Sequence, residues 1–191
     1  YLPWEQGILI IEMTTPKTRQ PNWPERFRDL IEFSGISDTD FKSIKDTGPI
    51  IVRYAVSLTD EIYDRIFEFP AAKQFFVDSD GRPDAKRIQD NKDTMIQWLY
   101  YLAKAPTNDG FTRYLAAISS MHHTVPSHRP GLPAVPSRFV IGTISYYQAR
   151  LSEILHDELD DPVEASRASS AWNKFLMVSL DLLLVAYLSD S

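Results

Sequence analysis

The sequence predicts an all-α chain. Three observations carry this: apolar residues return every three or four positions over long stretches, glycines and prolines fall between those stretches, and strand-like alternation is scarce. Trp23-Pro24-Glu25-Arg26 opens a short amphipathic helix with Phe27, Leu30, Ile31 and Phe33 apolar, and Gly35 closes it. Ser37, with Asp40 three residues on, caps a second short helix carrying Phe41 and Ile44. Pro49 begins the first long helix, where a missing N–H is harmless. Along it Val52, Val56, Thr59, Tyr63, Ile66 and Phe67 return as a buried face.

Pro70 ends that helix, and one tight helical turn to Phe76 carries Phe75 and Phe76. Asp78-Ser79-Asp80-Gly81 is a turn by composition. A second long helix runs from Pro83 to about Leu102, with Ile88, Met95, Trp98, Leu99 and Leu102 on one side. Pro106 to Gly110 interrupts, and a third helix covers Phe111–His123. Four prolines and a glycine between Thr124 and Pro136 make an irregular connection. A fourth long helix occupies roughly Ser137–Leu159, and the last, entered through Asp160-Asp161-Pro162, runs to Leu188. Helices joined at sharp proline corners suit globin-like packing better than a parallel bundle.

A chain of 191 residues has room for one domain with a sizeable core. The net charge of −6 and a pI near 5.2 argue against nucleic acid or an anionic membrane as partner, since both select clustered Lys and Arg. With no cysteine, disulfides, thiolate metal sites, iron–sulfur clusters and a cysteine nucleophile are excluded. The runs Ile8–Ile11 and Phe175–Leu188, the second broken by Ser179 and Asp181, fall short of the ~20 apolar residues of a membrane span. The short apolar run near the N-terminus has no basic flank, so a secretory signal is not expected and the cytoplasm is the simplest compartment. Residues 1–23 read as an extension ahead of a domain at 24–191. Within it, residues 1–12 precede Met13 and read as upstream or added sequence, a natural extension being the alternative.

His122 and His123 are the one adjacent histidine pair. Phe111, Tyr114, Leu115, Ile118 and Met121 form an apolar face, and His122 follows Ile118 by four residues on that face. A neutral imidazole there can ligate a metal through one ring nitrogen while the other donates to a carbonyl. The competing reading is a helix-terminal or core histidine that caps carbonyls and favours the helix C-terminus. Other chemistry is poorly represented: there is no phosphate loop, no Gly-x-Ser-x-Gly and no His-Glu-x-x-His. Asp157-Glu158 and Asp160-Asp161 lie in a polar helix–helix turn that capping and solvation explain.

The segment Tyr114 to His123, the Pro-rich connection, and Val135-Pro-Ser-Arg-Phe-Val-Ile-Gly-Thr-Ile144 together resemble the proximal-helix region of protoglobins and globin-coupled sensors. The order Tyr63, Pro70, Phe75-Phe76, Asp80-Gly81, Trp98, His122 extends the resemblance over about Ile50 to Leu188. It implies a 3-over-3 globin with an extra N-terminal helix, a haem b whose iron is held by His122, and O2, CO or NO at a six-coordinate distal site. It also implies a distal Tyr63, whose phenol donates to the ligand, although an ordinary core tyrosine fits the residue equally. Phe67 walls the pocket one turn on. Asn91, Met95, Trp98 and Leu99 share one helix face, turned by the resemblance to the distal side. Asn91 is either a second polar contact or a solvated surface residue; Met95 is a wall, a core residue or an iron ligand in the unliganded state. Met121 accompanies His122. Lys86, Arg87, Lys92, Arg129 and Arg138 are candidates for the haem propionates, with Arg138 assigned to the cofactor. Trp172 closes the proximal side, whereas His128 and His156 default to the surface.

The resemblance further implies a homodimer through the last two long helices. The expectation is a stand-alone haem protein, with a sensor input acting through a partner, or a cofactor-free helical interaction module, as the alternatives. Turnover is not required by any residue; NO dioxygenation or peroxidase-like reactions are side activities an open haem site permits.

Overall fold

Helix α1, Trp23–Phe33, starts where the Asn22 side chain accepts the Glu25 amide, and it stops at Gly35, whose φ of +63° glycine adopts without strain. The structure is a computed structural model and describes residues 22–125 and 131–188. The N-terminal extension, apart from its last two residues, and also His128 and Arg129, lie outside the described residues.

Helix α2 spans Asp38–Glu68, so the two helices expected on either side of Pro49 are one. Its start is a reciprocal cap: the Asp40 amide donates to Ser37 Oγ at 3.2 Å and the Ser37 amide to Asp40 Oδ2 at 2.8 Å. Proline already holds a helical φ, so Pro49 removes one hydrogen bond and crowds a carbonyl. The buried stripe Ile44, Thr47, Ile51 continues across it and keeps the helix whole. Beside it, Thr47 Oγ1 accepts the buried Trp172 indole at 2.9 Å and donates to the Ser43 carbonyl. The buried face of α2 is Ile51, Ala55, Leu58, Thr59, Ile62 and Tyr63. It is offset from the expected stripe: Val56 is 53% exposed, and Ala55, too small to register in an apolar pattern, is in the core.

Helix α3, Pro70–Lys73, and a 3-10 turn, Gln74–Phe76, form the expected tight corner. Helices α4 (Ala85–Leu102), α5 (Asp109–His123), α6 (Ser137–Glu158) and α7 (Pro162–Leu188) follow, α4 capped by Asp84 and α5 by Asn108. Among the described residues the only β pairing is an isolated bridge, Val77 to Pro83.

Helix α7 runs through the middle, packed on α1, α2, α5 and α6, while α4 lies on α2. By length and composition α7 does meet the requirement of a membrane span, against the expectation drawn from Ser179 and Asp181. Two polar residues do not prevent that. Here Ser179 folds its hydroxyl onto the Phe175 carbonyl at 2.8 Å, and Asp181 is gripped by Arg26 of α1 at 2.5 and 2.6 Å. Trp172, Phe175, Leu176, Leu180, Leu182 and Leu183 are buried within the chain itself. Phe27, Phe111 and Phe175 meet at centroid separations of 5.8 to 6.4 Å and lock α1 and α5 to α7.

Candidate functional site

Helices α4 and α5 are consecutive yet scarcely packed together. They touch where Tyr101 meets Phe111 (5.3 Å between centroids) and Tyr114 (5.5 Å), and beyond that corner α4 is committed to α2 and α5 to α7 and α1. Farther from the corner, Trp98 and Met95 lie on α4, and Ile118 and His122 on α5. Met95, Ile118 and His122 are each only half-buried.

His122 ends the buried stripe of α5, Phe111, Thr112, Leu115 and Ser119. Its Nδ1 is enclosed and has no hydrogen-bond partner among the described residues. Burial holds the imidazole below the ordinary histidine range, so the ring is neutral at pH 7 and keeps a free lone pair. Its backbone does take part in ordering the site, since the His122 carbonyl accepts the Val135 amide at 2.9 Å and Tyr187 donates to the Val135 carbonyl at 2.7 Å. His123 points elsewhere, edge-on to Tyr187 of α7 at 5.2 Å. His156 caps its own helix through Ser152 and is exposed, as expected.

Met121 departs from the sequence reading. It is 69% exposed, because it sits about 100° around the helix from His122 and beyond the edge of the buried stripe. Asn91 also lies outside: it is exposed and its Nδ2 donates to the Arg87 carbonyl at 2.8 Å, which matches the solvated alternative. A shallow hollow opens there, lined by Asp84, Lys86, Arg87 and Asp90, and a larger groove is walled by Phe27, Ile31, Ile36 and Phe41. Neither has Tyr63 or His122 in its wall.

Tyr63 is 3% exposed, its ring edge-on to Phe76 at 5.3 Å, and its hydroxyl has no hydrogen-bond partner among the described residues. Burial, and then the nearby Tyr147 phenol, pushes its pKa far above the ordinary tyrosine value, so it is a proton donor at any physiological pH. Lys92 lies over the same ring, Nζ 5.3 Å from the centroid, and is held by Asp60 at 2.7 Å. Phe67 is half-buried with Lys73 5.8 Å from its centroid, and Leu99 is fully buried. Trp98 is 6% exposed and its Nε1 is enclosed without a partner.

Of the basic residues considered for an anionic group, Lys86 pairs with Asp90, Arg87 with Asp84 and Lys92 with Asp60. Arg138 lies over Phe139 at 4.9 Å and, among the described residues, has no carboxylate partner. Sequence reading missed Tyr147, although Val140, Ile144, Tyr147 and Leu151 repeat at helical spacing on α6. It gave Lys92 a role at the edge, whereas the ammonium sits against the Tyr63 ring.

No group of three or more His, Cys, Asp or Glu side chains that could hold a bare ion occurs among the described residues. A single imidazole suits a metal whose other ligands come from a prosthetic group. The enclosed His122 Nδ1, without a partner among the described residues, and the half-buried Ile118 one turn before it fit a flat, largely apolar cofactor carrying one ion.

The Protoglobin family model matches residues 24–191. The globin domain of a Geobacter sulfurreducens globin-coupled sensor superposes with a TM-score of 0.66 at 20% identity, covering 84% of this chain and 96% of that one. Crystal structures of the globin domain of E. coli DosC, ferric and ferrous, each give 0.60 at 15% identity, covering 85% of this chain and 98% of theirs. At these identities the likeness shows the fold. No curated protein matches the chain.

Proposed function

From the premise that this chain belongs to the protoglobin family, we propose that it binds one haem b through His122 and takes O2, CO or NO on the opposite face, beside Tyr63. Haem-based gas binding follows from the family; the residues, the six-coordinate liganded state and the haem type are our reading. The observation that carries it is the neutral His122 ring, enclosed and without a hydrogen bond at the end of α5. When bound, haem supplies the iron that coordinates the diatomic ligand.

The chain's own residues do the rest. His122 would hold the iron through an uncharged nitrogen, because its surroundings disfavour the imidazolium. Tyr63 keeps its proton and, lacking any protein acceptor, donates to whatever acceptor lies in the pocket. A donor in a dry pocket is worth more than one in water. Phe67, Phe76 and Met95 exclude solvent, and Arg138, which has no carboxylate partner among the described residues, would meet a propionate.

A gas-sensor input acting through a partner is the second reading, favoured by the match to a sensor's globin domain. A homodimer through α6 and α7 accompanies either reading. Most of the apolar run at Leu180–Leu184 is committed to the core, so such a dimer draws on exposed positions such as Ile141, Val163 and Met177. The absorption spectrum of the purified chain with added haem tests the proposal: a Soret band that shifts under CO supports it, and a colourless protein at stoichiometric haem would falsify it.

A further inference from the structure

Helix α6 delivers a second tyrosine to the interior. Tyr147 is 0% exposed, and its hydroxyl is enclosed with no hydrogen-bond partner. Its ring lies 5.6 Å from that of Trp98, tilted 54°, and the Trp98 indole N–H is also enclosed and unpartnered. The Tyr147 phenol adds, after burial, to what holds the Tyr63 pKa above the ordinary tyrosine value. The Thr59 hydroxyl donates to the Ala55 carbonyl at 2.8 Å and lies near enough to Tyr147 to offset part of the upward push that burial gives its pKa, but its geometry falls short of a completed hydrogen bond.

Folded interiors leave few such groups unpaired. A phenylalanine at 147 fills the same volume without desolvating a hydroxyl, and the hydroxyl finds no partner among the described residues. The indole is a donor only, and both phenols hold their protons. The enclosed indole N–H and the Tyr147 O–H are then two donors without a partner among the described residues, and a compact acceptor within reach of both would satisfy them.

We propose that Tyr147, with the Trp98 indole, is a second hydrogen-bonding contact for the diatomic ligand, behind Tyr63, and that it favours acceptor ligands of the dioxygen type over carbon monoxide. This rests on the haem reading above. The pocket then holds two phenols, and discrimination among gases is divided between α2 and α6.

The test is Tyr147→Phe, with Trp98→Phe as a second variant. In haem-loaded protein the ratio of O2 to CO affinity falls about tenfold, the equivalent of one hydrogen bond. The stretching band of bound CO moves to higher wavenumber as a donor is lost. In the haem-free chain the melting midpoint of Tyr147→Phe equals or exceeds that of the wild type, because the hydroxyl has no partner to lose. A lower haem-free midpoint means that protein or an ordered water already satisfies the hydroxyl, which overturns the proposal. An unchanged affinity ratio with an unchanged CO band in haem-loaded protein overturns it alone. A wild-type chain that takes up no haem overturns both this and the haem reading.

Discussion

Replacing Gly48 by Ala tests how the wall carrying Tyr63 and Trp98 is seated. A Cβ at Gly48 meets the Ala103 carbonyl oxygen at 2.5 Å and its carbon at 3.2 Å, so α2 and the end of α4 touch backbone to backbone. The struck atom is main chain and cannot swing aside as a side chain would. The corner also has little slack, since Ala105, two residues on, already holds a φ of +44° and donates its amide to the Leu102 carbonyl at 2.8 Å. In a solvent-exposed helix the substitution gains about 1 kcal/mol of propensity. Overpacking of a buried contact costs about 1–3 kcal/mol, and a rigid carbonyl puts this case at the upper end. The net expectation is a loss of about 1–2 kcal/mol. Urea unfolding of the haem-free chain measures it as a lower midpoint at unchanged slope. A midpoint equal to or above that of the wild type refutes the close approach and the rigidity ascribed to this corner.

Further expectations concern the site itself. Tyr63→Phe speeds O2 dissociation about tenfold and changes CO dissociation less than twofold, as loss of a single donor to the ligand requires; equal effects on both gases in stopped-flow measurements count against the donor role. The depressed His122 pKa makes the haem-free chain's stability fully present above about pH 6.5, the unfolded histidine value. It declines as the pH falls toward the folded value, because the unfolded chain then binds more protons. Denaturant midpoints from pH 7.5 to 5 read this slope, and His122→Gln flattens it; identical slopes in the two proteins contradict the assignment. Lys92→Met removes a 2.7 Å pair with a half-exposed Asp60 and a contact with the Tyr63 ring. Its expected effect is a modest loss of about 0.5–1 kcal/mol in the same assay, and a loss above roughly 3 kcal/mol marks the pair as far more buried than described.

The helical content was legible because caps and prolines announce themselves locally. Ser37 with Asp40 caps α2 as its position suggests, whereas Asp84 and Asn108, which the sequence reading did not single out, cap α4 and α5. Pro49 misled because its local effect, one lost hydrogen bond, is outweighed by burial of residues on both sides of it, which only the packed structure reveals. The stripe on α2 was drawn through Val56, although the neighbouring turn buries Ala55; side-chain size and burial are different properties. What could be read from chain order was where His122 and Tyr63 fall, at the end of α5 and on the buried face of α2. The site was illegible where it depends on which helices meet. Met121 and Asn91 have suitable residue types and lie outside, while Tyr147 looks like one more core aromatic until its hydroxyl is found without a partner. The fate of the long apolar helix α7 is likewise a property of its neighbours, α2, α5 and α6.

The central claim is a bond between one side chain and iron, and the direct measurement is haem retention after gel filtration in His122→Ala and His123→Ala, prepared side by side. The account predicts that His122→Ala emerges stripped of its Soret absorbance while His123→Ala keeps a wild-type spectrum and CO response. Loss in the His123 variant with retention in the His122 variant contradicts it.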